Sequence, residues 1–283
     1  MLILGNSSGA GTPATKVDVF TAGGNWMRDP AAKMIYLLLI GGGGSGCPGS
    51  VVGDGNTGSY DANAASGGAG GGGGSVTEVW LDASLIPVNA NCNVSVGSGG
   101  DAVPYDNWSW GSRGSSSQIT WNGGGIRALG GYEGRLPDAP GQMSDLLPGG
   151  AGGAGGSSSN SYWGQDSTQT QGSPTGGAGG GGIDGNGNPQ WGGTSQVPYP
   201  TWGQSNGGMP GDTGIPGQNT TTFGYVGTGG AGGAANTNAN GQNGADALNY
   251  GGGGGGGGAA ATGFTAGAGG KGGDGIVVIA QFF

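Results

Sequence analysis

Residues 251–283 read GGGGGGGGAAATGFTAGAGGKGGDGIVVIAQFF, and this stretch decides the fold. A run of glycines leads into a tract that Ala268, Lys271 and Asp274 interrupt at every third position, and an apolar segment follows. Because a polyproline II helix has three residues per turn, these interruptions would project from one face and leave two faces of bare backbone. The stretch predicts a glycine helix of this type that runs directly into a buried β-strand.

The same organisation extends along the chain, in which 80 of the 283 residues are glycine. Interruptions three residues apart recur at Ala151 and Ala154 and again at Thr228 and Ala231. A polyglycine II helix makes no internal hydrogen bonds, so its N–H and C=O groups can bond to neighbouring helices, an approach that a Cβ would prevent. The alternative is that the tracts are flexible linkers between small β units. The tracts predicted to form the bundle are 41–46, 67–74, 97–100, 149–156, 176–182, 227–233, 251–258 and 267–275.

Apolar segments with strand patterns supply the hydrophobic core, and almost no α-helix is expected. The predicted fold is mainly β plus irregular: a jelly-roll-like β-sandwich module fused to a bundle of polyglycine II helices. Its first and last strands stand at opposite ends of the sequence, so the sandwich must bring those ends together. Residues 1–16 are interpreted as an N-terminal arm or attachment segment, and 17–283 as a single glycine-rich domain. Strands are predicted at 17–20 continuing towards Trp26, 33–40, 75–81, 92–96, 118–121, 125–129 and 276–283.

The composition excludes several classes of function. The chain has 7 Lys and Arg against 16 Asp and Glu, so it lacks the basic surface that nucleic-acid binding requires. It has no histidine, which removes Ser-His-Asp and Cys-His catalysis and an ordinary zinc site. The longest clean apolar run, 34–40, is too short to span a bilayer, and residues 1–4 lack the basic flank of a signal peptide. We therefore expect a protein that is not an enzyme, binds no cofactor and does not insert into a membrane.

Two motifs share the spacing of calcium sites, and neither is expected to bind a metal. Residues 269–277 fit a single calcium repeat of a β-roll, which needs stacked copies. Residues 184–195 begin like an EF-hand loop but have Pro189 at the position of the turn glycine. Cys47 and Cys92 could form a disulfide, but two buried free thiols are favoured for a protein assembled in a reducing cytosol.

The order of several segments is more specific than their composition. These segments are VFTAGGNWM, MIYLLLIGGGGSG, GGAGGGGGSVTEVWLDASLIPVNANCNVSVGSGG, GSSSQITWNGGGIRALGG and GGKGGDGIVVIAQFF. Over most of 17–130 and 267–283 the chain resembles the glycine-rich domain of bacteriophage tail-fibre and tail-tip receptor-binding proteins. The resemblance implies a β-sandwich with a polyglycine II bundle, and an adhesin that is a virion component of the viral tail, assembled in the host cytoplasm.

The resemblance also implies partners. They are a host surface polysaccharide or outer-membrane protein, and other virion tail proteins bound through the N-terminal region. A homotrimer and a monomer are both left open. Only about 16 residues precede the first strand and no coiled-coil shaft is present, which favours a tip, short-fibre or adhesin subunit over a whole fibre. The alternative function is a purely structural virion fibre, spike or decoration protein without a host ligand.

Aromatic residues in the loops between tracts are the candidate receptor-binding residues. Such rings provide stacking area at little cost in rotamer entropy, although they could instead cap the open ends of the bundle. Counting the crossings of the bundle back from the last strand places these loops, including 183–226, away from the sandwich, and 234–250 near it. The candidates are Tyr105, Trp108, Trp110, Tyr132, Trp191, Tyr199 and Trp202.

Overall fold

The computed structural model describes residues 15–53, 63–106, 109–135, 155–156, 164–167, 174–196, 204–205, 227–248 and 250–283. Within these ranges the regular structure is almost entirely β, and no helix has the length and apolarity needed to cross a membrane. The elements are β1 (Thr15–Phe20), β2 (Gly24–Trp26), β3 (Met34–Ile40), β4 (Val76–Asp82), a 3₁₀ turn (Ala83–Leu85), β5 (Cys92–Ser95), β6 (Ser117–Trp121), β7 (Gly124–Ala128), β8 (Ser195–Gln196), β9 (Gln204–Ser205) and β10 (Ile276–Phe282).

Two four-stranded antiparallel sheets form the sandwich, with strand orders β1-β10-β3-β4 and β2-β5-β6-β7. β1 pairs with β10 from Thr15–Phe282 to Phe20–Val277, which confirms that the two ends of the chain meet in one sheet. The segment predicted as one strand continuing towards Trp26 is instead split into β1 and β2, which belong to different sheets. The buried core shared by the two sheets includes Trp26, Ile35, Leu37, Leu39, Ile86, Cys92, Val94, Ile119, Val277 and Ile279.

The glycine tracts pack side by side as rods joined by backbone hydrogen bonds with a period of three residues. The N–H groups of Gly43, Gly46 and Gly49 donate to the 267–273 rod at 2.8, 3.0 and 3.0 Å. The N–H groups one position further along, such as that of Gly44, donate to the 66–72 rod at 2.9 Å. Successive residues therefore face different neighbours in turn, which is the threefold pattern of a polyglycine II bundle.

Rods 41–50 and 251–259 are each enclosed by six others, as in a hexagonal lattice. The six rods around each central rod also form hydrogen bonds with the rods next to them. Hydrogen bonds therefore join the outer rods to one another as well as to the central rod. The six neighbours of rod 41–50 are 67–75, 97–100, 111–115, 129–134, 251–259 and 267–275. The six neighbours of rod 251–259 are 41–50, 67–75, 175–183, 227–235, 241–248 and 267–275.

The bundle contains more rods than the sequence predicted. Rod 241–248 shows why, because Gly241 and Gly244 are buried while Asn243 and Asp246 are exposed. A rod at the edge of the bundle presents only part of its circumference to its neighbours, so it needs glycine or alanine at one position in three. The added rods are 111–115, 129–134, 164–167, 190–195 and 241–248; of the predicted tract 149–156, only 155–156 lies within the described residues.

These added crossings reverse part of the predicted path. Rod 227–235 runs away from the sandwich, since Gly227 pairs with Tyr250 and Asn236 pairs with Ala259. Residues 236–240 therefore lie at the end remote from the sandwich, and the prediction that 234–250 lies near the sandwich is wrong for them. We call this remote end, formed by the turns at 51–53, 183–190, 236–240 and 260–265, the distal end.

Small aliphatic side chains close the distal end of the described bundle. Ala65, Ile183, Ala235 and Ala259 form a buried cluster there, with Val52 packed against it. The described aromatic residues are not members of this cluster. Capping of the distal end in this part of the chain is therefore done by alanine, valine and isoleucine.

A single methyl group in a central rod should destabilise the protein. A Cβ on Gly256 would lie 2.0 Å from the carbonyl oxygen of Gly68, a backbone atom that cannot rotate away. Overpacking usually costs about 1–3 kcal/mol, and we expect Gly256→Ala to reach or exceed the upper value in urea unfolding. In the control Gly23→Ala the nearest atom to the new Cβ is 3.5 Å away, so a change within about 0.5 kcal/mol is expected. Equal effects of the two substitutions would contradict the lattice.

The two cysteines should be unreactive in the folded protein. Cys47 and Cys92 are free and buried, and burial raises the pKa of Cys47 to about 12 and also raises that of Cys92. Since the thiolate is the reactive form, a thiol reagent at pH 8 should label neither cysteine in the native state and both after denaturation without reductant. Labelling of either cysteine in the native protein, or failure to label both in the denatured protein, would contradict this description.

Candidate functional site

Four of the seven predicted aromatic residues lie in the described part of the chain. Trp110 and Trp191 are exposed, at 54% and 49% of their surface, whereas Tyr105 and Tyr132 are half-buried. Trp108, Tyr199 and Trp202 lie outside the described residues.

Two antiparallel edge rods bring part of this set together. The N–H of Gly111 donates to the carbonyl of Gly134 at 2.9 Å, and the N–H of Gly114 donates to that of Gly131 at 3.0 Å. This register places residue 110 beside 135 and residue 113 beside 132. Each glycine marks the face that a rod turns towards its partner, so the residues between the glycines are directed elsewhere.

Two cation–π contacts form at these adjacent positions. The guanidinium carbon of Arg113 lies 4.5 Å from the centroid of the Tyr132 ring. That of Arg135 lies 4.9 Å from the centroid of the Trp110 ring. At these distances the positive charge interacts favourably with the face of the ring and restricts both side chains.

Glu133 joins the two contacts into one cluster. Its carboxylate accepts hydrogen bonds from Nε of Arg113 and from Nη2 of Arg135, the latter at 2.9 Å. Its side chain is only 8% exposed, against 57% and 45% for the two arginines. Burial raises the pKa of Glu133, but the hydrogen bonds from Arg113 and Arg135 outweigh this effect and hold the pKa below its usual value. We call Trp110, Arg113, Tyr132, Glu133 and Arg135 the arginine–aromatic cluster.

The cluster is anchored to the enclosed rod 41–50. The N–H of Gly134 donates to the carbonyl of Ser45 at 2.9 Å. Ser45 in turn donates its N–H to the carbonyl of Ser112 at 2.9 Å and accepts the Ser112 N–H on its hydroxyl at 2.7 Å. Both edge rods are thus fixed to the same residue of the bundle interior, so their relative position is set by the lattice.

The cluster lies on the side of the bundle, and the prediction that Trp110 and Tyr132 stand at its far end is wrong. At 3.1 Å per residue, Ser45 lies about 20 Å along its rod from Val52 at the distal end. β5 leads into rod 97–100, and in the described part of loop 101–116 Val103 accepts the N–H of Gly269 and Ser109 accepts the thiol of Cys47, so these residues lie beside the rods and short of the distal end.

Trp191 belongs to a different part of the surface. It lies on rod 190–195, which bonds to rods 164–167, 175–183 and 227–235. Rod 111–115 bonds to 41–50, 97–100 and 129–134 instead. Because the two rods share no neighbour, Trp191 is separate from the arginine–aromatic cluster.

A shallow open depression of about 380 Å³ is present at the distal end. Val52, Ile183 and Ala261 contribute apolar surface to it, and Asn186 and Thr237 contribute polar groups. The loop beside it is rigid, since the Asp184 carboxylate accepts the N–H groups of Asn186 and Asn188 at 3.0 and 2.8 Å. This surface was not predicted from the sequence.

The carboxylates of the two calcium-like motifs bind backbone groups. In residues 184–195 Asp184 closes its own turn, and in residues 269–277 Asp274 accepts the N–H of Gly99 at 2.8 Å. The described residues contain no group of three or more His, Cys, Asp or Glu side chains placed to hold a metal ion. These carboxylates hold the loops and rods together.

Arg113, Glu133 and Arg135 were not predicted from the sequence. A signal was present in the spacing, because Gly111 and Gly114, and likewise Gly131 and Gly134, are three residues apart. That spacing marks two edge rods that carry charged residues, with Arg113 between the first two glycines, Glu133 between the second two and Arg135 directly after them.

Comparison with known proteins identifies one related family. A family model described as a glycine-rich domain matches residues 18–281. No curated protein matches the chain.

Glu133→Gln should weaken the fold in a pH-dependent way. Because the pKa of Glu133 is lowered in the folded state, its contribution is present above the ordinary glutamate pKa of about 4.3 and is lost as the pH falls below it. At pH 7 we expect the variant to be about 1 kcal/mol less stable than the native protein in urea unfolding. At pH 3 the difference should shrink; a difference that stays constant from pH 7 to pH 3 would show that the carboxylate charge is irrelevant to stability.

Proposed function

The chain belongs to the glycine-rich domain family, and we propose that it is an adhesin of a bacteriophage tail fibre or tail tip that recognises a host cell-surface receptor. The observation that carries the proposal is an exposed tryptophan, Trp110, stacked with Arg135 on rods that backbone hydrogen bonds fix to the bundle interior. The resemblance of the sandwich strands and their adjoining tracts to phage receptor-binding proteins supplies the biological setting.

Rigid display of aromatic side chains suits such a role. Binding costs less when the groups that make contact are already ordered, and Trp and Tyr combine large contact area with few rotatable bonds. Trp110 remains 54% exposed although Arg135 lies over its ring, so part of the ring is available to a ligand. A host surface polysaccharide or a loop of an outer-membrane protein would supply complementary surfaces. Other tail proteins would attach through the N-terminal region, which leads into the edge strand β1.

Adsorption competition tests the proposal. Purified protein should bind cells of the host and reduce adsorption of the phage that carries it. Trp110→Ala should raise the concentration needed for competition at least tenfold, since a central aromatic contact is worth about 2 kcal/mol. Trp80 is equally exposed at 49% but lies on the outer face of the sandwich sheet, so Trp80→Ala should change competition less than twofold.

Two results would contradict the proposal in different ways. If Trp110→Ala competes as well as the native protein, the arginine–aromatic cluster is not the receptor-binding surface. If the native protein neither binds cells nor competes with virions, the chain is a structural component of the virion without a host ligand.

A further inference from the structure

We propose that the arginine–aromatic cluster binds a uronic-acid residue, that is, a sugar ring bearing one carboxylate, within an acidic polysaccharide. This inference rests on the proposed adhesin function and names the class of ligand for its lateral surface. It depends on the charge, the orientation and the neighbours of two arginines.

The cluster is locally positive in an acidic protein. The chain has a formal charge of −9 and only 7 Lys and Arg. Two of these cations meet at the single carboxylate of Glu133, which leaves an excess of one positive charge among the groups in contact. Since the side chains of both arginines are about half exposed whereas that of Glu133 is almost covered, the solvent-facing side of the cluster is cationic.

Both arginines keep donors for a ligand. A guanidinium group has five N–H donors in a planar fork. Glu133 is bound by Nε of both arginines and by one terminal nitrogen of each. The contacts to Glu133 therefore leave the second terminal nitrogen, Nη1, of each group without a bond to this carboxylate. The edge formed by the two terminal nitrogens offers one N–H from each nitrogen, a planar fork that matches the two oxygens of a carboxylate.

The aromatic neighbours favour a sugar as the carrier of that carboxylate. Trp110 is exposed beside Arg135, so a flat apolar ring and a guanidinium group lie at one place on the surface. A pyranose ring has apolar faces that can stack on indole while its substituents bond to adjacent polar groups. An inorganic anion or an isolated carboxylate would use the arginines and leave the exposed part of the tryptophan ring unused.

The net charge of the cluster favours a carboxylate over a phosphate monoester. One excess positive charge is neutralised by a single carboxylate, whereas a phosphate monoester carries about −1.5 to −2 at pH 7. The second ion would leave uncompensated negative charge in an acidic protein. The two arginine–aromatic pairs are one three-residue repeat apart, about 9 Å along the rods, so a polysaccharide could also contact both pairs along its length.

The test uses oligogalacturonate and its fully methyl-esterified form, two probes with the same rings that differ in charge. Binding is followed by isothermal titration calorimetry and by tryptophan fluorescence. The native protein should bind the acid form at least tenfold more tightly than the ester. Trp110→Ala should weaken binding of both forms, whereas Arg135→Gln should remove most of the preference for the acid form.

Arg127→Gln is the matched control, because it removes one positive charge from an exposed arginine on β7 whose Nη2 donates to Ser116 at 2.8 Å. It should leave the preference within twofold of the native value. A native protein without preference for the acid form, or an equal loss in Arg127→Gln and Arg135→Gln, would overturn the inference.

The adsorption assay separates this inference from the proposed function. If the protein competes with virions but binds no uronate, the uronate site is refuted and the proposed adhesin function stands. Uronate binding by a protein that neither binds cells nor competes would support the site and refute the adhesin.

Discussion

Contact between bare backbones, at a separation that no Cβ allows, is the constraint on which the whole structure depends. In the central rods a Cβ would stand about 2 Å from a neighbouring carbonyl, as at Gly256 and Gly68. Ordering a residue costs about 1–2 kcal/mol and one hydrogen bond returns about 0.5–1.5 kcal/mol, so an isolated rod would not be stable. The sandwich supplies what is missing, because β3 leads directly into rod 41–50 and rod 267–275 leads directly into β10.

The same constraint decides which rods the sequence reveals. Rod 251–259 has six neighbours and is an unbroken glycine run until its last residue, so it is visible by inspection. Rod 241–248 has neighbours on one side and shows glycine only at 241 and 244, a density that ordinary loops also reach. Glycine content therefore predicts the enclosed rods and their three-residue period, but it does not predict the rods at the edge of the bundle. Missing an edge rod also reverses the predicted direction of the chain, which is why residues 236–240 were assigned to the wrong end.

The candidate site could be predicted by residue type but not by geometry. An aromatic residue in a loop, such as Trp110, could be recognised in the sequence as a candidate binding residue, because an aromatic ring offers a large surface for stacking. Its pairing with Arg135 was not recognisable, because it results from the register between rods 111–115 and 129–134, which β6 and β7 separate in the sequence. Hydrogen bonds between Gly111 and Gly134 set that register, and nothing local in either segment encodes it.

Edge rods explain why a binding surface can form on the side of such a bundle. One position in three is committed to the lattice, as Gly131 and Gly134 show, while the other positions carry the side chains of the cluster, with Tyr132 half-buried, Glu133 almost covered and Arg135 displayed outwards. Substitution at the displayed positions changes the surface without bringing a Cβ between two backbones. The rigidity needed for recognition thus comes from residues that make no contact with a ligand, and the chemistry comes from residues that the lattice does not constrain. A bundle with almost no conventional core can in this way hold a charged and aromatic surface in a fixed arrangement.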